Sequence, residues 1–331
     1  MSGSGRKRPT STDVARRAGL SRATVSYVLN DTPGQTIPAT TRERVLAAAA
    51  ELNYTPHEAA RTLRAGSSRL VLLITRALPV STNTSGLLAA MTDGIIALGR
   101  SLVTWQEVPG AGLEQALEQL QPCLVIAQIG LSGDQRRLLD RMRLPLVTIT
   151  DDGQLEPFGV EIGRRQADHL ISRGHTRLGY VASSNPALAV FAEPRLRGVR
   201  LMCAERGVPE PRSMAIMHPD EAGVAAVVEA LTAWRGAEPV TAIAAYNDAA
   251  AGVVVAAART LGLAIPGDLA VIGMDDEQLG RFVGPGLTTL RMDLVTVATE
   301  ALAEAAAVLD GGDPAPPRSP LRVALIARGS T

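Results

Sequence analysis

From residue 69 onward, short apolar runs of strand composition alternate with amphipathic segments of helical length. The predicted strands span residues 70–75, 102–108, 124–129, 146–150, 178–181, 214–217, 242–245 and 269–272, with a last one at 321–326. The predicted helices span residues 87–100, 113–120, 136–143, 163–173, 195–206, 222–235, 249–261 and 294–309. This alternation predicts parallel sheets with helices on both faces and ligands at the carboxyl ends of the strands. Because about ten strands exceed what one such sheet usually carries, we expect two lobes.

Ahead of this region, the N-terminal residues predict two short helices joined by a tight turn. Thr10 and Asp13 have the spacing of a capping box at the start of the first helix. Gly19 permits the sharp turn, and Ser21 caps the second helix. The other face of the second helix carries Arg22, Ala23, Thr24, Ser26 and Tyr27. These side chains suit base edges and phosphates, so the pattern predicts a helix-turn-helix for the DNA major groove. An ordinary helical hairpin inside a core is the alternative.

A third helix, predicted over residues 40–52, completes a head at residues 1–56. Residues 57–68 have helical composition over only about two and a half turns, which is too short for a stable isolated helix. This segment is therefore predicted as a hinge helix or linker that orders only against a partner. The body occupies residues 69–331.

The formal net charge of zero conceals a division along the chain. Residues 1–67 contain ten Lys and Arg against five Asp and Glu, whereas the remainder contains 23 against 28. A basic head on an acidic body is typical of a protein whose head binds phosphate groups while its body has a different function.

Several classes of function are disfavoured by what the sequence lacks. Cys123 and Cys203 have no metal or redox spacing, and no apolar signal-peptide core follows the basic N-terminus. Both observations favour a cytoplasmic protein in a reducing compartment. No metal-ligand cluster, phosphate-binding glycine loop or nucleophile–base set stands out. We therefore expect no catalysis, no cofactor and no bound metal.

A set of short motifs recurs in a specific order and spacing. In the head and linker the set is Asp13-Val-Ala, Ala18-Gly19, Ser21, Thr24-Val-Ser26, Leu29-Asn30, Thr41-Arg-Glu-Arg-Val45, Leu52-Asn-Tyr54, Pro56, Ala60-Arg61 and Leu63. In the body it is Arg173-Gly-His175, Leu178-Gly179, Arg195, Gly198, Tyr246-Asn-Asp248, Pro266-Gly-Asp268, Val271-Ile-Gly273-Met-Asp-Asp276 and Pro285-Gly-Leu-Thr-Thr289. On these residues the chain resembles the LacI/GalR family of bacterial transcriptional regulators over essentially its whole length.

The resemblance implies a helix-turn-helix head on a two-lobed α/β body that is similar to periplasmic sugar-binding proteins. It implies a first lobe at about 69–157 and 291–318, a second at about 158–290 and 319–331, and an effector between them. It also implies a repressor whose affinity for DNA is modulated by a small, sugar-like molecule. Since one head contacts too few base pairs for specificity, we expect a homodimer, with a tetramer not excluded, on palindromic operator DNA.

The chain departs from the family pattern at four places. Tyr27 stands where family members commonly carry Arg, and His57 where they carry Asn. Residues 79–86 stand where an Asn-Pro-Phe-Phe-like stretch usually follows the first strand of the body, and they are predicted as a longer loop. Pro157-Phe158 replaces an Asp-Asn pair ahead of the helix predicted at residue 163. Both operator contacts and the first-lobe half of the ligand site are therefore expected to differ.

The candidate DNA contacts divide between phosphates and bases. Candidates for phosphates are Arg6, Lys7, Arg8 and Arg42. Arg22 is the candidate for a bidentate contact to guanine, with a phosphate contact alone as the alternative. In the linker, the resemblance implies a DNA-binding role for Ala60 and a wedge from Leu63 into the minor groove. Packing of Leu63 against its own head is the alternative.

The candidate effector contacts lie near predicted strand ends. Arg195 offers a donor fork, Asn247 an amide and Asp275 a bidentate acceptor, which together suit a polyol. Asp275 or Asp276 can instead cap the following helix. Candidate stacking faces, with core packing as the alternative, are Phe158, Tyr246, Phe191 and Phe282. His169 and His175 are predicted to be structural.

Two other functions stay in consideration. The first is a solute-binding protein, which the basic head and the missing signal peptide argue against. The second is a DNA-binding regulator with a degenerate sugar pocket that responds to a non-sugar metabolite or a protein partner. The departures at residues 79–86 and 157–158 favour this second possibility.

Overall fold

The computed structural model describes residues 9–29, 36–54, 68–76, 81–107, 112–150, 152–236, 238–312 and 322–331. The chain forms two compact units, Met1–Ser68 and Arg69–Thr331.

The described part of the N-terminal unit forms helices α1 (Ser11–Ala18), α2 (Arg22–Leu29) and α3 (Ala39–Glu51). The predicted capping box is confirmed, because the Thr10 N–H donates to Asp13 Oδ2 at 2.9 Å and Thr10 Oγ1 accepts from the Asp13 N–H at 3.4 Å. Gly19 turns the chain in the left-handed conformation, with φ of 63°. Ser21 Oγ then accepts the Thr24 N–H at 3.0 Å and caps α2.

Each of these helices contributes to one small core. Val14, Val25 and Val45, one from each helix, are fully buried at its centre. Arg44 of α3 donates from Nη2 to the Ala18 carbonyl oxygen at 2.7 Å. This bond satisfies a carbonyl group at the end of α1 that has no partner within its own helix. The third helix therefore fixes both members of the helix pair.

The second unit alternates strands and helices. In chain order its described elements are β1 (Leu70–Arg76), α4 (Thr82–Ala97), β2 (Ser101–Glu107), α5 (Leu113–Leu120), β3 (Leu124–Ile129), α6 (Gly133–Met142), β4 (Leu146–Thr150), α7 (Asp152–Ser172), β5 (Leu178–Ser183), a 3₁₀ turn (Pro186–Leu188), α8 (Ala189–Glu205), β6 (Arg212–Ile216), α9 (Glu221–Ala233), β7 (Ala242–Ala245), α10 (Asp248–Thr260), β8 (Ala270–Met274), a second 3₁₀ turn (Gln278–Phe282), β9 (Thr288–Met292), α11 (Leu294–Leu309) and β10 (Val323–Ile326).

The first sheet has the order β2-β1-β3-β4 and is parallel throughout. Its inner strands are buried on both faces: Val71 and Leu73 face one apolar cluster, while Leu72 and Ile74 face another. Helix α11 packs beside α4, where a Cβ on Gly94 would lie 2.3 Å from a Leu302 methyl group. These elements form the four-stranded lobe.

The second sheet has the order β10-β9-β8-β7-β5-β6. It is parallel except for β10, which runs antiparallel to β9 at one edge. Helices α7 and α8 cover one face, and α9 and α10 cover the other. These elements form the six-stranded lobe. The chain passes from the first lobe to this one after β4 and leaves it after β9, so the prediction of two lobes is confirmed.

Three sequence predictions need correction. Strand β9 was not predicted, because it begins with the polar residues Thr288 and Thr289, which are nevertheless fully buried. Residues 82–86 are not part of a loop but form the first turns of α4. The physical reason is a capping box in which the Thr84 N–H donates to Ser81 Oγ at 3.1 Å and the Ser81 N–H donates to Thr84 Oγ1 at 2.9 Å.

The helix predicted from residue 163 begins at Asp152 as α7, so Pro157-Phe158 lies inside the helix rather than ahead of it. The early turns of α7 form because Leu155, Phe158 and Ile162 are buried with helical spacing. Burial of these three side chains stabilises the start of α7 more than Pro157 destabilises it.

Candidate nucleic-acid interface and ligand cleft

Helix α2 presents its polar face to solvent. Arg22 and Ala23 are exposed, Thr24 and Ser26 are half-buried, and 39% of Tyr27 is exposed. On the opposite side Val25 and Val28 anchor the helix in the head core. The structure thus brings the five candidate base-contacting residues onto one accessible surface. The Thr24 hydroxyl is already 2.8 Å from Ser21 Oγ, so Thr24 is partly committed to the cap.

The positively charged side chains of the head differ in whether they form ion pairs or hydrogen bonds within the fold. Arg16 pairs with Asp13 at 3.3 Å, Arg17 pairs with Glu51, and Arg44 bonds α1 as described. With the described residues, the Arg22 side chain forms no hydrogen bond or ion pair. Arg42 lies half-buried in the first turn of α3. Arg6, Lys7, Arg8, Ala60 and Leu63 fall outside the described residues.

A cleft of about 650 Å³ lies between the two lobes of the body. The carboxyl ends of β3, β4, β5 and β7, together with the N-terminal turns of α4, α7 and α10, form its walls. All five candidate effector residues line it: Arg195, Asn247, Asp275, Phe158 and Tyr246. The expectation that ligands would be placed at strand ends therefore corresponds to an actual cavity of ligand size.

Arg195 is the most constrained polar group of this cleft. It is 6% exposed, its Nη1 donates to the Tyr246 carbonyl oxygen at 2.7 Å, and its guanidinium carbon lies 4.6 Å from the centre of the Tyr246 ring. Its Nε is buried and has no hydrogen-bond partner among the described residues. A buried donor without a partner is costly, so Arg195 is held in this position at an energetic cost to the fold.

Asp275 follows β8 in an unusual backbone conformation, with φ of 114°. Burial raises the pKa of its carboxyl to about 6, although nearby Arg195 acts in the opposite direction. Asn83 of α4 donates from Nδ2 to Asp275 Oδ1 at 3.0 Å. One of the two oxygens of the Asp275 carboxylate is therefore already hydrogen-bonded before a ligand binds.

Asn247 caps helix α10, because its Oδ1 accepts the Ala250 N–H at 2.9 Å. Its Nδ2 is the part of the amide that can serve a ligand. Phe158 is 8% exposed and packs against Ile162 and Met274, so it belongs to the core and lines the cleft at the same time. Phe191 lines the cleft, whereas Phe282 is 81% exposed and does not belong to either lobe's core.

The alternative of a helix-capping Asp275 or Asp276 is wrong. Asp276 instead pairs with Arg328 and, at 3.4 Å, with Arg291. The neighbouring 3₁₀ turn is preceded by Glu277, whose N–H donates to Asp248 Oδ2 at 2.7 Å. The two histidines predicted to be structural bond to threonines: His169 to Thr331 at 2.9 Å and His175 to Thr241 at 3.0 Å.

Several cleft residues were missed by sequence reasoning. Those with polar side chains include Asn83, Gln128, Thr150, Asn185, His218 and Glu277. Gln128 and Thr150 lie at the ends of β3 and β4, so their positions at predicted strand ends were a usable signal. Asn83 gave no such signal, because it lay in the segment that was predicted as a loop.

Comparison with known proteins identifies the chain. The family model described as bacterial regulatory proteins, lacI family, matches residues 10–57, and that of a periplasmic binding protein-like domain matches residues 167–331. The HTH-type transcriptional regulator GalR of Salmonella typhimurium (strain SL1344) is 33% identical over 322 residues, which cover 92% of this chain and 90% of that protein. The chain belongs to the lacI family. MalR of Streptomyces coelicolor is 31% identical over 347 residues, covering 96% of this chain and 95% of that protein.

Solved structures of other transcriptional regulators share the fold of this chain. The lac repressor dimer bound to operator and the anti-inducer ONPF superposes with a TM-score of 0.79 at 25% identity, covering 98% of this chain and 99% of that one. The complex of the regulator CelR with cellobiose gives a TM-score of 0.64 at 23% identity, over 98% and 100% of the two chains. At that identity the second likeness concerns the fold alone.

Membership of the lacI family makes this protein a DNA-binding transcriptional regulator with a helix-turn-helix head and a periplasmic-binding-protein-like body. Because regulators of this family are not enzymes, the expectation of no catalysis is confirmed. In the described ranges, no group of three or more His, Cys, Asp or Glu side chains is placed to hold a metal ion. Among the helices of those ranges, none has the length and apolarity needed to cross a membrane.

Proposed function

We propose that this lacI-family regulator is a ligand-responsive repressor that binds a palindromic operator as a homodimer in the cytoplasm. The observation that carries the proposal is the exposed face of α2, on which Arg22 has no partner among the described residues. A guanidinium on an accessible helix face can bond guanine O6 and N7 in the major groove. We retain the head at 1–56, the hinge at 57–68 and the body at 69–331 as part of this proposal.

A dimer is supported by exposed apolar side chains on the six-stranded lobe. Leu279 is 76% and Phe282 81% exposed, and a spacing of three residues places them on one face of the 3₁₀ turn. A Phe282→Glu substitution is expected to shift the protein toward monomers in sedimentation and to weaken operator binding. Leu201→Glu, at a 43% exposed position of α8, is the matched control.

The effector we propose is a small polyhydroxylated molecule of the sugar class. Arg195 supplies donors, Asp275 an acceptor and Asn247 a further donor, all on one cleft. Vicinal hydroxyl groups both donate and accept, so they satisfy such a mixed set. The lac repressor, whose fold this chain shares, has been solved bound to operator and to the anti-inducer ONPF, which supports a small-molecule effector.

A second candidate is a regulator that responds to a non-sugar metabolite or to a protein partner. It is favoured by the composition of the four-stranded side of the cleft, where Ser81 and Thr84 are bonded to each other in a cap. Apolar residues on that side are Leu87, Ile129, Ile149, Leu294 and Val297. A wall of this kind favours a ligand with a large apolar part.

Selection of bound sites from random DNA, followed by fluorescence anisotropy on the selected operator, tests the first half of the proposal. A palindromic consensus supports it, and no sequence preference contradicts it. A thermal-shift screen of sugars and polyols tests the second half, because a ligand at 100 times its Kd adds about 2.7 kcal/mol of stability. If no sugar shifts the transition while a non-sugar metabolite does, the second candidate replaces the sugar.

A further inference from the structure

The first turn of α4 contacts the segment that follows β8 on the other lobe. The Thr82 N–H donates to Glu277 Oε1 at 2.8 Å, and the Thr82 hydroxyl donates to the other oxygen of the same carboxylate. One residue further on, Asn83 bonds Asp275. Two consecutive residues of the four-stranded lobe therefore hold two carboxylates of the six-stranded lobe.

The Thr82–Glu277 contact uses a group that the helix itself leaves unsatisfied. Thr82 is the first residue of α4 after the Ser81 cap, and the N–H groups of a first helical turn have no partner within the helix. A carboxylate at this end of a helix also interacts favourably with its dipole. Glu277 thus provides from across the cleft what an acidic residue in the first turn of α4 would otherwise provide, and the first turn of α4 contains none.

The segment that carries the two carboxylates is held firmly on its own lobe. The Glu277 N–H bonds Asp248, and the Asp276 carboxylate pairs with Arg328 and Arg291. Pulling α4 away would therefore break the contacts between the lobes rather than move this segment with it.

We propose that Thr82 and Asn83 of α4, with Glu277 and Asp275, form a latch that holds the two lobes closed. The latch concerns the same cleft as the proposed effector site, but it does not depend on which effector binds there. An effector that binds better when the lobes are apart has to break these contacts, so the latch sets part of the free-energy difference between the two states.

The sharpest test removes both Thr82 donors without disturbing the helix. Proline is favoured at the first helical position, where its missing N–H costs the helix nothing, and Ser81 has the extended conformation that a following proline requires. Thr82→Pro should therefore keep α4 and lose the contact with Glu277. Thr82→Ser keeps both donors and is the matched control.

The readout is the distance between the lobes in the full-length, effector-free and DNA-free protein. Fluorophores are attached at Glu118→Cys on α5 and Glu229→Cys on α9, both exposed positions, in a Cys123→Ser background. Cys203 is retained, because it is fully buried and burial raises the pKa of its thiol to about 11. Single-molecule energy transfer then reports the closed and open populations.

We expect Thr82→Pro and Glu277→Ala to lower the ratio of closed to open molecules roughly tenfold, because each removes the charge-assisted hydrogen bonds between Thr82 and the Glu277 carboxylate, and we expect Thr82→Ser to match the wild type. The proposal is overturned if all four proteins give the same distance distribution. Should Thr82→Pro fail to fold by circular dichroism, Glu277→Ala decides, since it removes both acceptor oxygens and leaves the backbone of α4 unchanged. Without DNA or effector in the experiment, its failure is distinct from a failure of the proposed function.

Discussion

Arg195 and Tyr246 contact each other twice: the guanidinium carbon lies 4.6 Å from the ring centre, and Nη1 donates to the Tyr246 carbonyl oxygen at 2.7 Å. The two contacts fix both the plane and the direction of the guanidinium. The guanidinium of Arg195 is therefore held in one orientation at the cleft wall before a ligand arrives. An organised donor of this kind favours affinity, because little side-chain freedom is lost on binding.

We predict that Arg195→Lys lowers the affinity for the effector roughly ten- to hundredfold. Lysine cannot reproduce the planar fork, and hydrogen bonds of charged groups contribute about 1.5–3 kcal/mol. Isothermal titration with an effector found in the thermal-shift screen measures the change. Arg197→Lys is the control and should bind normally, because Arg197 lies on the same helix as Arg195 but forms an exposed ion pair with Glu156 of α7. Equal affinities in the two variants would remove Arg195 from the effector site.

Helices α7 and α8 approach each other as closely as their backbones permit. A Cβ on Gly198 would lie 2.0 Å from the Val160 carbonyl oxygen, and one on Gly163 would lie 1.9 Å from that of Arg195. We predict that Gly198→Ala destabilises the body by about 1–3 kcal/mol, because the helices must separate. Chemical denaturation measures this loss. The control is Gly86→Ala, because a Cβ at this position would have no atom from another part of the fold within 4 Å. Alanine should therefore be neutral or stabilising there. If Gly198→Ala is as stable as the wild type, helices α7 and α8 can move apart at this point without a loss of stability.

The sequence predicts those parts of the fold that depend on local patterns. The run at residues 124–127 is apolar because β3 is buried on both faces, and the predicted and observed bounds of this strand, 124–129, agree. Strand β9 escaped prediction because Thr288 and Thr289 are buried with their hydroxyl groups bonded to Arg328, Thr331 and Asp248, partners from distant parts of the chain. A polar residue that is satisfied by tertiary contacts gives no hydropathy signal.

The effector cleft, too, could be predicted from the sequence only where its residues follow a local pattern. Asn247 and Asp275 each follow closely on a strand, and this position alone was enough to place them on the cleft. Arg195 was also expected near a strand end, but it reaches the cleft from within helix α8. The partnership of Asn83 with Asp275 joins residues 192 positions apart, so no local pattern contained it. The start of α4 was in principle predictable, since Ser81 and Thr84 have capping-box spacing, but the weak helix formers that follow concealed it.

Asp248 is expected to make stability depend on pH. Burial raises the pKa of its carboxyl to about 7, although bonds from Thr289 at 2.6 Å and from the Glu277 N–H at 2.7 Å oppose the shift. The folded state therefore holds a proton that the unfolded state releases above about pH 4. Stability contributed by this proton is present at low pH and is lost as the pH rises toward 7.

We predict that Asp248→Asn flattens this decline, which for one proton amounts to at most about 1.4 kcal/mol per pH unit. Asparagine can keep both contacts, because its oxygen can accept from the Glu277 N–H while its nitrogen donates to the Thr289 hydroxyl. Urea denaturation of the wild type and the variant at pH 5 and pH 7 measures the two slopes. Parallel slopes would mean that Asp248 does not titrate in this range.

The role of Arg22 can be separated from general phosphate binding. Because Arg22 is exposed on α2 and has no partner among the described residues, we predict that Arg22→Ala costs about 1–3 kcal/mol of operator binding and relaxes the preference at one base pair in each half-site. Anisotropy on the selected operator and on single-substitution operators measures both effects.

Arg16→Ala is the control for charge, because Arg16 is an exposed arginine of α1 that pairs only with the neighbouring Asp13 among the described residues. It should lower affinity slightly and equally for all operators. A loss that is uniform across operators in Arg22→Ala as well would mean that Arg22 contacts phosphate alone. A loss confined to one base pair would assign that position of the operator to Arg22, since phosphate contacts carry no sequence information of their own.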